Sequence, residues 1–349
     1  MPFVVNSGRA AGTMPGMPKT AFSGAAALTA AALLSCAGGE TAGAPPRVGV
    51  VSHLGVEPAL LLEAPAARTV AVALPDVAGR VVVYARDGEN ILWENTDASG
   101  RPRPGGGYQL DVGPEMRLIP PHPVLWSGRY RWGLLPPRTI TLSSEPDPTL
   151  GLRLEKQISI DPRDGALEVV QRMKNVSDRE QSYCLWDRTL CKGGGFALVP
   201  LNPRSRFPAR WVIGRRKGGA WEYNGVDPAH PEMRVLDGVL VVRSGGPEQK
   251  IGADSDAGWI GYVRGSLLYV KYYPYDPGGR YTDGGLSVAF YFSERFSECE
   301  PISPEVTLRP GEEYVFPERW ILLRLEREVA TFEEARRAAD RIPPSPFRR

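Results

Sequence analysis

The clearest pattern in the chain is a period-two alternation of apolar and polar residues. Over residues 152–160, apolar side chains alternate with charged or polar ones, and the same pattern returns over residues 166–174. The segment between them, Asp-Pro-Arg-Asp-Gly at 161–165, has the composition of a tight turn. Because successive side chains of a strand point to opposite faces of a sheet, these runs predict a hairpin of two long strands with one buried face.

Similar strand signals recur along most of the chain. Runs rich in β-branched residues at 69–74 and 80–84 are separated by a Pro-Asp-Val-Ala-Gly turn. Further strands are predicted at residues 181–190, 195–199, 238–243, 257–263, 266–273, 286–293 and 313–326. The pattern predicts an all-β protein, with one large antiparallel two-sheet sandwich as its architecture.

The C-terminal end is the one segment with helical character. In residues 331–342, Thr331 and Glu334 have the spacing of a capping box, and Pro343 stops the pattern. We therefore predict a short C-terminal helix that closes a sandwich domain spanning residues 49–349.

Composition excludes several classes of protein. The 349 residues include 39 Gly and 34 Pro, which is more than helical bundles carry, and 42 basic residues are nearly balanced by 40 acidic ones. A net charge of +2 gives no basic footprint for nucleic acid. His53, His122 and His230 share no short metal-binding spacing, and the Gly-rich segments lack the residues that follow in a phosphate-binding loop. We therefore expect no metal, no cofactor and no nucleic-acid partner.

The N-terminus differs from the rest of the chain. Lys19 precedes a short apolar run, residues 21–34, which is followed directly by Ser35 and Cys36. This run is shorter than the roughly 20 residues that span a bilayer, and it is typical of a secretory signal. Its end resembles a bacterial lipobox, in which Cys36 becomes the lipidated first residue. A plain signal peptide and a disordered tail with a chance cysteine are the alternatives.

The lipobox interpretation divides the chain into three parts. Residues 1–35 are then a signal peptide, and residues 36–48 form a flexible tether after the lipidated cysteine. The protein is predicted to be exported to the bacterial cell envelope, periplasmic or surface-facing, and to meet the membrane only through its lipid anchor.

Three cysteines remain beyond Cys36. Cys184 and Cys191 can pair in an oxidising compartment only if their Cα atoms lie within roughly 7 Å of each other. The alternative, which we favour, is that Cys184, Cys191 and Cys299 are three small buried apolar residues.

Two segments resemble galactose mutarotase-like (aldose 1-epimerase-like) proteins. Residues 167–177, LEVVQRMKNVS, are similar to the strand and Asn-x-Ser/Thr turn of that superfamily. Residues 296–312, FSECEPISPEVTLRPGE, resemble an uncharacterised group within it, and the similarity continues over residues 318–323. The resemblance implies a two-sheet supersandwich with a sugar-binding groove on one concave face, and hence a mono- or oligosaccharide partner.

The resemblance also implies a catalytic pair of a base and an acid, and this sequence matches only the base. Aldose mutarotases use a Glu base and a His acid, and the base is carried over best to Glu300. The segment that should hold the acid reads Tyr-Cys-Leu-Trp-Asp-Arg at 183–188 and has no His. His122 is the candidate substitute. Glu298 competes with Glu300 if the register differs by two, since period two keeps both on one face.

Candidate sugar contacts fall in several segments. A proline-rich loop that includes His122 is followed by Trp126, Arg129 and Trp132, which either contact a sugar or cover the end of the sandwich. Lys271 is a candidate donor of hydrogen bonds to the hydroxyls or carboxylates of a sugar. Asp283 is a candidate sugar contact, but its neighbours also fit a turn.

Trp186 and Asp187 are the remaining candidates. An aromatic ring stacks on a sugar and a carboxylate accepts from its hydroxyls, yet period two places the two neighbours on opposite faces unless a bulge intervenes. The alternative is that Trp186 belongs to the core.

Three functions remain compatible with the sequence. The first is a carbohydrate-binding or sugar-active envelope lipoprotein without the standard mutarotase acid–base pair. The second is an epimerase with a relocated acid. The third is a structural or interaction lipoprotein that uses the sandwich as a scaffold, because a fold does not by itself fix a function.

Overall fold

The computed structural model describes residues 44–103, 105–118, 122–217 and 220–348. The predicted signal peptide, Cys36 and most of the predicted tether lie outside the described residues. In the part of the chain that the structure describes, no helix has the length and apolar character needed to cross a membrane.

Strands dominate the described residues. In the N-terminal part they are β1 (Arg47–His53), β2 (Val56–Ala64), β3 (Thr69–Leu74), β4 (Arg80–Arg86), β5 (Glu89–Asn90), β6 (Tyr108–Gln109), β7 (Val112–Gly113), β8 (Tyr130–Leu135), β9 (Thr139–Ser144), β10 (Leu152–Ile160), β11 (Leu167–Asn175) and β12 (Gln181–Leu185). In the C-terminal part they are β13 (Arg188–Lys192), β14 (Phe196–Pro200), β15 (Val212–Lys217), β16 (Ala220–Tyr223), β17 (Met233–Leu236), β18 (Val239–Arg243), β19 (Gln249–Ala253), β20 (Trp259–Tyr272), β21 (Val288–Phe292), β22 (Phe296–Pro301), β23 (Val306–Leu308) and β24 (Glu313–Val329). The helices are α1 (Pro123–Ser127), α2 (Phe332–Ala339) and a 3₁₀ turn (Pro65–Ala67).

Two large antiparallel sheets form the sandwich. The twelve-stranded sheet runs β1-β2-β3-β4-β6-β13-β22-β21-β19-β15-β16, with β5 paired to β4, and the nine-stranded sheet runs β17-β18-β14-β20-β24-β11-β10-β9-β8. A small sheet, β23-β12-β7, lies beside them. The all-β prediction is therefore confirmed, and the order of the twelve-stranded sheet brings together strands that are distant in sequence.

The alternating runs behave as their pattern predicts. β10 and β11 pair in unbroken antiparallel register from Leu152 opposite Asn175 to Ile160 opposite Leu167. Along both strands, buried residues alternate with more exposed ones, and the buried set packs into the large core between the sheets. Burial of one face fixes the register, because a slip by one residue would turn that face to solvent.

The C-terminal helix is also confirmed. Thr331 caps α2 by accepting from the backbone N–H of Glu334, whose side chain accepts from the N–H of Thr331. Phe332, Ala335 and Ala338 are its buried residues, and they pack in a hydrophobic cluster with residues of β14, β18 and β20, such as Phe196, Val241 and Val263. The capping box and the apolar stripe together explain why this one segment is helical.

The predicted strand at 181–190 is in fact two strands. β12 ends at Leu185 and β13 begins at Arg188, while Trp186 makes an isolated bridge with Ile302. The break moves the chain from the small sheet to the twelve-stranded sheet. Cys184, Cys191 and Cys299 are all free and buried, so the favoured prediction for the cysteines holds.

Candidate functional site

The candidate site lies on the face of the twelve-stranded sheet that points away from the nine-stranded sheet, called here the outer face. In β22, Cys299 belongs to the core between the sheets, so its neighbours Glu298 and Glu300 point to the outer face. Thr189 of β13 pairs with Cys299, which places Arg188 opposite Glu300. Two carboxylates and a guanidinium thus share the middle of this face.

Glu300 is held in place by two donors. Its side chain is fully buried, and one carboxylate oxygen accepts from the Trp186 indole at 2.7 Å and lies 2.9 Å from the Lys250 ammonium. Its other oxygen, Oε1, has no hydrogen-bond partner among the described residues. Glu300, the predicted base, is therefore a buried, ion-paired residue with one carboxylate oxygen left without a hydrogen bond from the described residues.

Glu298 is the more accessible carboxylate of the two. Its side chain keeps 15% of its surface exposed, and its oxygen lies 4.0 Å from the nearer guanidinium nitrogen of Arg188. Burial, together with the charge of Glu300, raises the pKa of Glu298 to about 7. A carboxyl group with that pKa exchanges a proton readily at neutral pH, so Glu298 fits the role of base better than Glu300.

Glu115 connects the cations of the site. Its two oxygens accept from Lys250 at 2.9 and 3.0 Å, and they also accept from Arg188 at 3.1 Å and Tyr223 at 3.0 Å. Burial alone would raise its pKa, but Lys250 and Arg188 outweigh burial and lower it to about 2. Glu115 was not predicted from the sequence, since it stands in a short loop without any strand or motif pattern.

Asp283 holds the backbone of the loop that carries Glu115. Its carboxylate accepts from the backbone N–H of Glu115 at 3.2 Å and of Met116 at 2.9 Å, and its own φ of 52° lies in the left-handed region. Asp283 is buried. Its place in the molecule is that of a turn residue that positions a site residue, which was the alternative interpretation of the sequence.

Arg188 is surrounded by acidic groups. Besides Glu115 and Glu298, it lies 3.5 Å from Asp111 and 4.0 Å from Glu300. Its guanidinium also sits over the rings of Trp126, at 5.5 Å, and Trp186, at 5.9 Å. We call Asp111, Glu115, Arg188, Lys250, Glu298 and Glu300 the outer-face cluster.

Two predicted residues border this cluster. Trp126 in α1 is half-buried, and its ring lies 5.5 Å from the guanidinium of Arg188 and 5.8 Å from that of Arg80. His122 is the N-cap residue of α1, and its Nε2 is buried without a hydrogen-bond partner among the described residues. Burial raises the pKa of Asp111, whereas the charges of Arg188 and His122 oppose that rise, which places His122 in the electrostatic field of the cluster.

Asp187 and Lys271 lie on the other side of the sheet. The Lys271 ammonium bonds to Asp187, lies 3.2 Å from Glu318 and donates to Thr189 at 2.9 Å. Asp187 and Lys271 have at most 1% of their side chains exposed, in the space between the two sheets. The structure therefore places these two predicted sugar contacts in the interior, because strand alternation turns Asp187 away from Arg188.

Arg129 and Trp132 lie apart from the outer-face cluster as well. The Arg129 side chain is exposed and donates to Asp76 at 2.9 Å. Trp132 is 41% exposed on β8, the edge strand of the nine-stranded sheet. Of the ten predicted site residues, the structure gathers Glu300, Trp126 and His122 at the outer face, and Asp283 contacts the backbone of Glu115 there. Trp186 bonds to Glu300 but is fully buried in a hydrophobic cluster, so it is the core residue that the alternative interpretation predicted. Cys36 is outside the described residues.

The cluster is built for acid–base contacts or hydrogen bonding to a polar ligand. Within the described ranges, no group of three or more His, Cys, Asp or Glu side chains is arranged to hold a metal ion. The carboxylates instead pair with Lys250 and Arg188, and Glu298 alone combines exposure with a pKa near neutrality.

Comparison with known proteins identifies the fold. No protein-family model matches the sequence, and no curated protein is similar to it. Among solved structures, the chain is similar to a galactose mutarotase-like protein from Clostridium acetobutylicum, with a TM-score of 0.53 and 10% identity over 80% of this chain and 99% of that one. It is also similar to a galactose mutarotase-like protein from Lactobacillus casei, with a TM-score of 0.52 and 12% identity over 73% and 97% of the two chains.

A third similar structure has the same architecture. It is a galactose mutarotase related enzyme from Lactobacillus acidophilus, with a TM-score of 0.50 and 9% identity over 76% of this chain and 98% of that one. The chain therefore has the galactose mutarotase-like fold over most of its length, as its sequence resemblance implied. At identities this low, structural similarity establishes the fold alone, and the function has to be argued from the residues of the site.

Proposed function

We propose that this protein binds a sugar on the outer face of its twelve-stranded sheet, over Glu298, Arg188 and Trp126. The observation that carries the proposal is the placement of Glu298, which keeps part of its surface open above a buried network of ion pairs. Its carboxylate accepts hydrogen bonds from sugar hydroxyls. The names of the similar solved structures support a sugar as the ligand class.

The surrounding residues hold this carboxylate in position. Lys250 and Trp186 fix Glu300, and Glu115 fixes Lys250 and Arg188. Side chains that are locked by such contacts are preorganised, so little conformational entropy is lost when a ligand binds. The half-buried ring of Trp126 adds an apolar surface beside the polar groups, which is the composition of small-molecule sites.

We favour binding without efficient mutarotation as the activity. Ring opening needs one group that removes the anomeric proton and another that protonates the ring oxygen. Glu298 supplies a base, but the segment at 183–188, which should hold the acid soon after the Asn-x-Ser turn, has no imidazole.

An epimerase with a relocated acid is the second candidate. One observation favours it: His122 lies near Asp111, and its Nε2 lacks a hydrogen-bond partner among the described residues. In that function, His122 protonates the ring oxygen while Glu298 takes the hydroxyl proton.

Calorimetry on a soluble version without the predicted signal peptide and Cys36, residues 37–349, tests sugar binding. We expect saturable heat with at least one hexose, and we expect Glu298→Gln to weaken binding at least tenfold. Glu294→Gln, an exposed glutamate that precedes the same strand, is the matched control and should bind normally. A folded protein that binds no mono- or oligosaccharide would refute the proposal and favour the scaffold function.

We further propose that the protein works in the bacterial cell envelope, attached through lipid on Cys36. The support is the apolar run followed directly by Ser35 and Cys36, which resembles a lipobox. The domain itself then meets the membrane only through the tether.

A further inference from the structure

The outer-face cluster carries more acidic than basic groups. Arg188 and Lys250 are its two cations, whereas Asp111, Glu115, Glu298 and Glu300 are its four carboxylates. Arg80 also lies in their field, but it is fully buried and donates to Gln109 and to the carbonyl of Gly106. Carboxylates outnumber cations even with Arg80 included.

The cations of the cluster are already neutralised by the protein. Lys250 lies between Glu115 and Glu300, at 2.9 Å from each, and is 1% exposed. Arg188 has four carboxylates within 4.0 Å. A phosphate or carboxylate on a ligand would therefore find no unpaired cation among these groups.

Two buried polar atoms of the cluster lack a hydrogen-bond partner among the described residues: the donor Arg188 Nε, which already lies 3.5 Å from Asp111, and one acceptor. Glu300 Oε1 is buried without a donor among the described residues, in a side chain with no exposed surface. Glu298 lies two residues before it on the same face of β22 and is partly exposed. The carboxylates of Glu298 and Glu300, with Glu300 Oε1 unbonded within the described residues, favour a ligand that carries hydrogen-bond donors and a positive charge.

From this arrangement we infer that the preferred ligand is an amino sugar, whose ammonium group binds at Glu298 with Glu300 behind it. The inference rests on the proposed sugar-binding function and names its substrate class. Sugar hydroxyls and an ammonium are all donors, which matches a site rich in acceptors. Acetylation of the amine, or a phosphate on the sugar, removes or reverses the charge on which the preference depends.

The protonation of Glu298 couples this binding to pH. Because an ammonium stabilises the ionised carboxylate, its binding lowers the pKa of Glu298 from about 7 and releases protons near neutral pH. The charged and titratable groups that act on Glu298 are Glu300, Arg188, Lys250, Glu115, Arg80 and Tyr291. Since Arg188, Lys250 and Glu115 are paired with one another, we assign the proton release to Glu298.

Isothermal titration of the 37–349 protein tests the inference. The probes are D-glucosamine and D-galactosamine, each compared with its parent hexose, its N-acetyl form and its 6-phosphate. We expect at least one amino sugar to bind about tenfold more tightly than its neutral counterparts, and we expect the 6-phosphates to bind weakest. At pH 6.5 the binding enthalpy should depend on the ionisation enthalpy of the buffer, which reports the released protons.

Variants separate this inference from the proposed function. Glu298→Gln should abolish both the preference for the amine and the proton release, while Glu294→Gln should change neither. Neutral hexoses or phosphosugars that bind as tightly as amino sugars would overturn the inference and leave the sugar-binding function standing. A folded protein that binds none of the probes, nor any larger glycan, would overturn both.

Discussion

Asp187 and Arg188 are neighbours in sequence but belong to two ion clusters on opposite faces of the same sheet. Asp187 pairs with Lys271 in the space between the sheets, whereas Arg188 donates to Glu115 on the outer face. Because the residues are consecutive, strand geometry forces this division. One cluster therefore serves the stability of the sandwich, and the other forms the candidate ligand site.

The interior cluster makes Lys271 a residue on which folding depends. We expect Lys271→Met to lower the free energy of unfolding by about 3–5 kcal/mol, because Asp187 and Glu318 would remain buried without their cation. Urea denaturation followed by tryptophan fluorescence measures the loss. The triple variant that adds Asp187→Asn and Glu318→Gln should recover much of it. A loss below 1 kcal/mol for Lys271→Met would contradict this assignment.

Glu298 should lower stability at neutral and alkaline pH. Its pKa is raised from the ordinary value of 4.5 to about 7, so its contribution to folding is most favourable below pH 4.5 and declines as the pH rises to 7. The cost above pH 7 is on the order of 3 kcal/mol. Glu298→Gln should therefore be more stable than the parent at pH 8 and about equal to it at pH 4. Denaturation curves at the two pH values decide this, and an equal effect at both would show that the charge is not responsible.

Mutarotation of free aldoses should be weak or absent. General acid–base assistance contributes roughly 10²–10⁴-fold, and the sequence lacks the imidazole that follows the Asn-x-Ser turn in active mutarotases. Polarimetry with glucose, galactose and their 2-amino derivatives tests the expectation. A fast relaxation that depends on the protein, and that both Glu298→Gln and His122→Asn eliminate, would establish the epimerase function. If Glu300→Gln alone eliminates it, the base is Glu300 as the resemblance implied.

Cys36→Ser should prevent acylation and release the protein from membranes. The reason is that the thiol of the lipobox cysteine carries the lipid. Metabolic labelling with a fatty acid and membrane fractionation in a bacterial host measure the two effects. Identical fractionation of both forms, with no label in either, would rule out the lipoprotein interpretation.

The sequence by itself determined many of the strands, the C-terminal helix and the facing of residues within them. Alternation at 152–160 and 167–174 is a local consequence of burying one face, and the capping box of α2 is a local hydrogen-bond pattern. For the same reason, period two already placed Glu298 and Glu300 on one face and separated Trp186 from Asp187. Each of these properties depends only on residues that are close together in the chain.

The tertiary structure alone decided which residues form the site. Glu115, Arg188, Lys250 and Glu300 come from four distant segments. They meet because β13, β19 and β22 belong to the twelve-stranded sheet and because the loop after β7 brings Glu115 to Arg188 and Lys250. Burial then sets the chemistry: it fixes Glu300 in ion pairs, raises the pKa of Glu298 and encloses Lys271 between the sheets. Desolvation and long-range charge depend on the surroundings of a side chain in three dimensions, which no local sequence pattern contains.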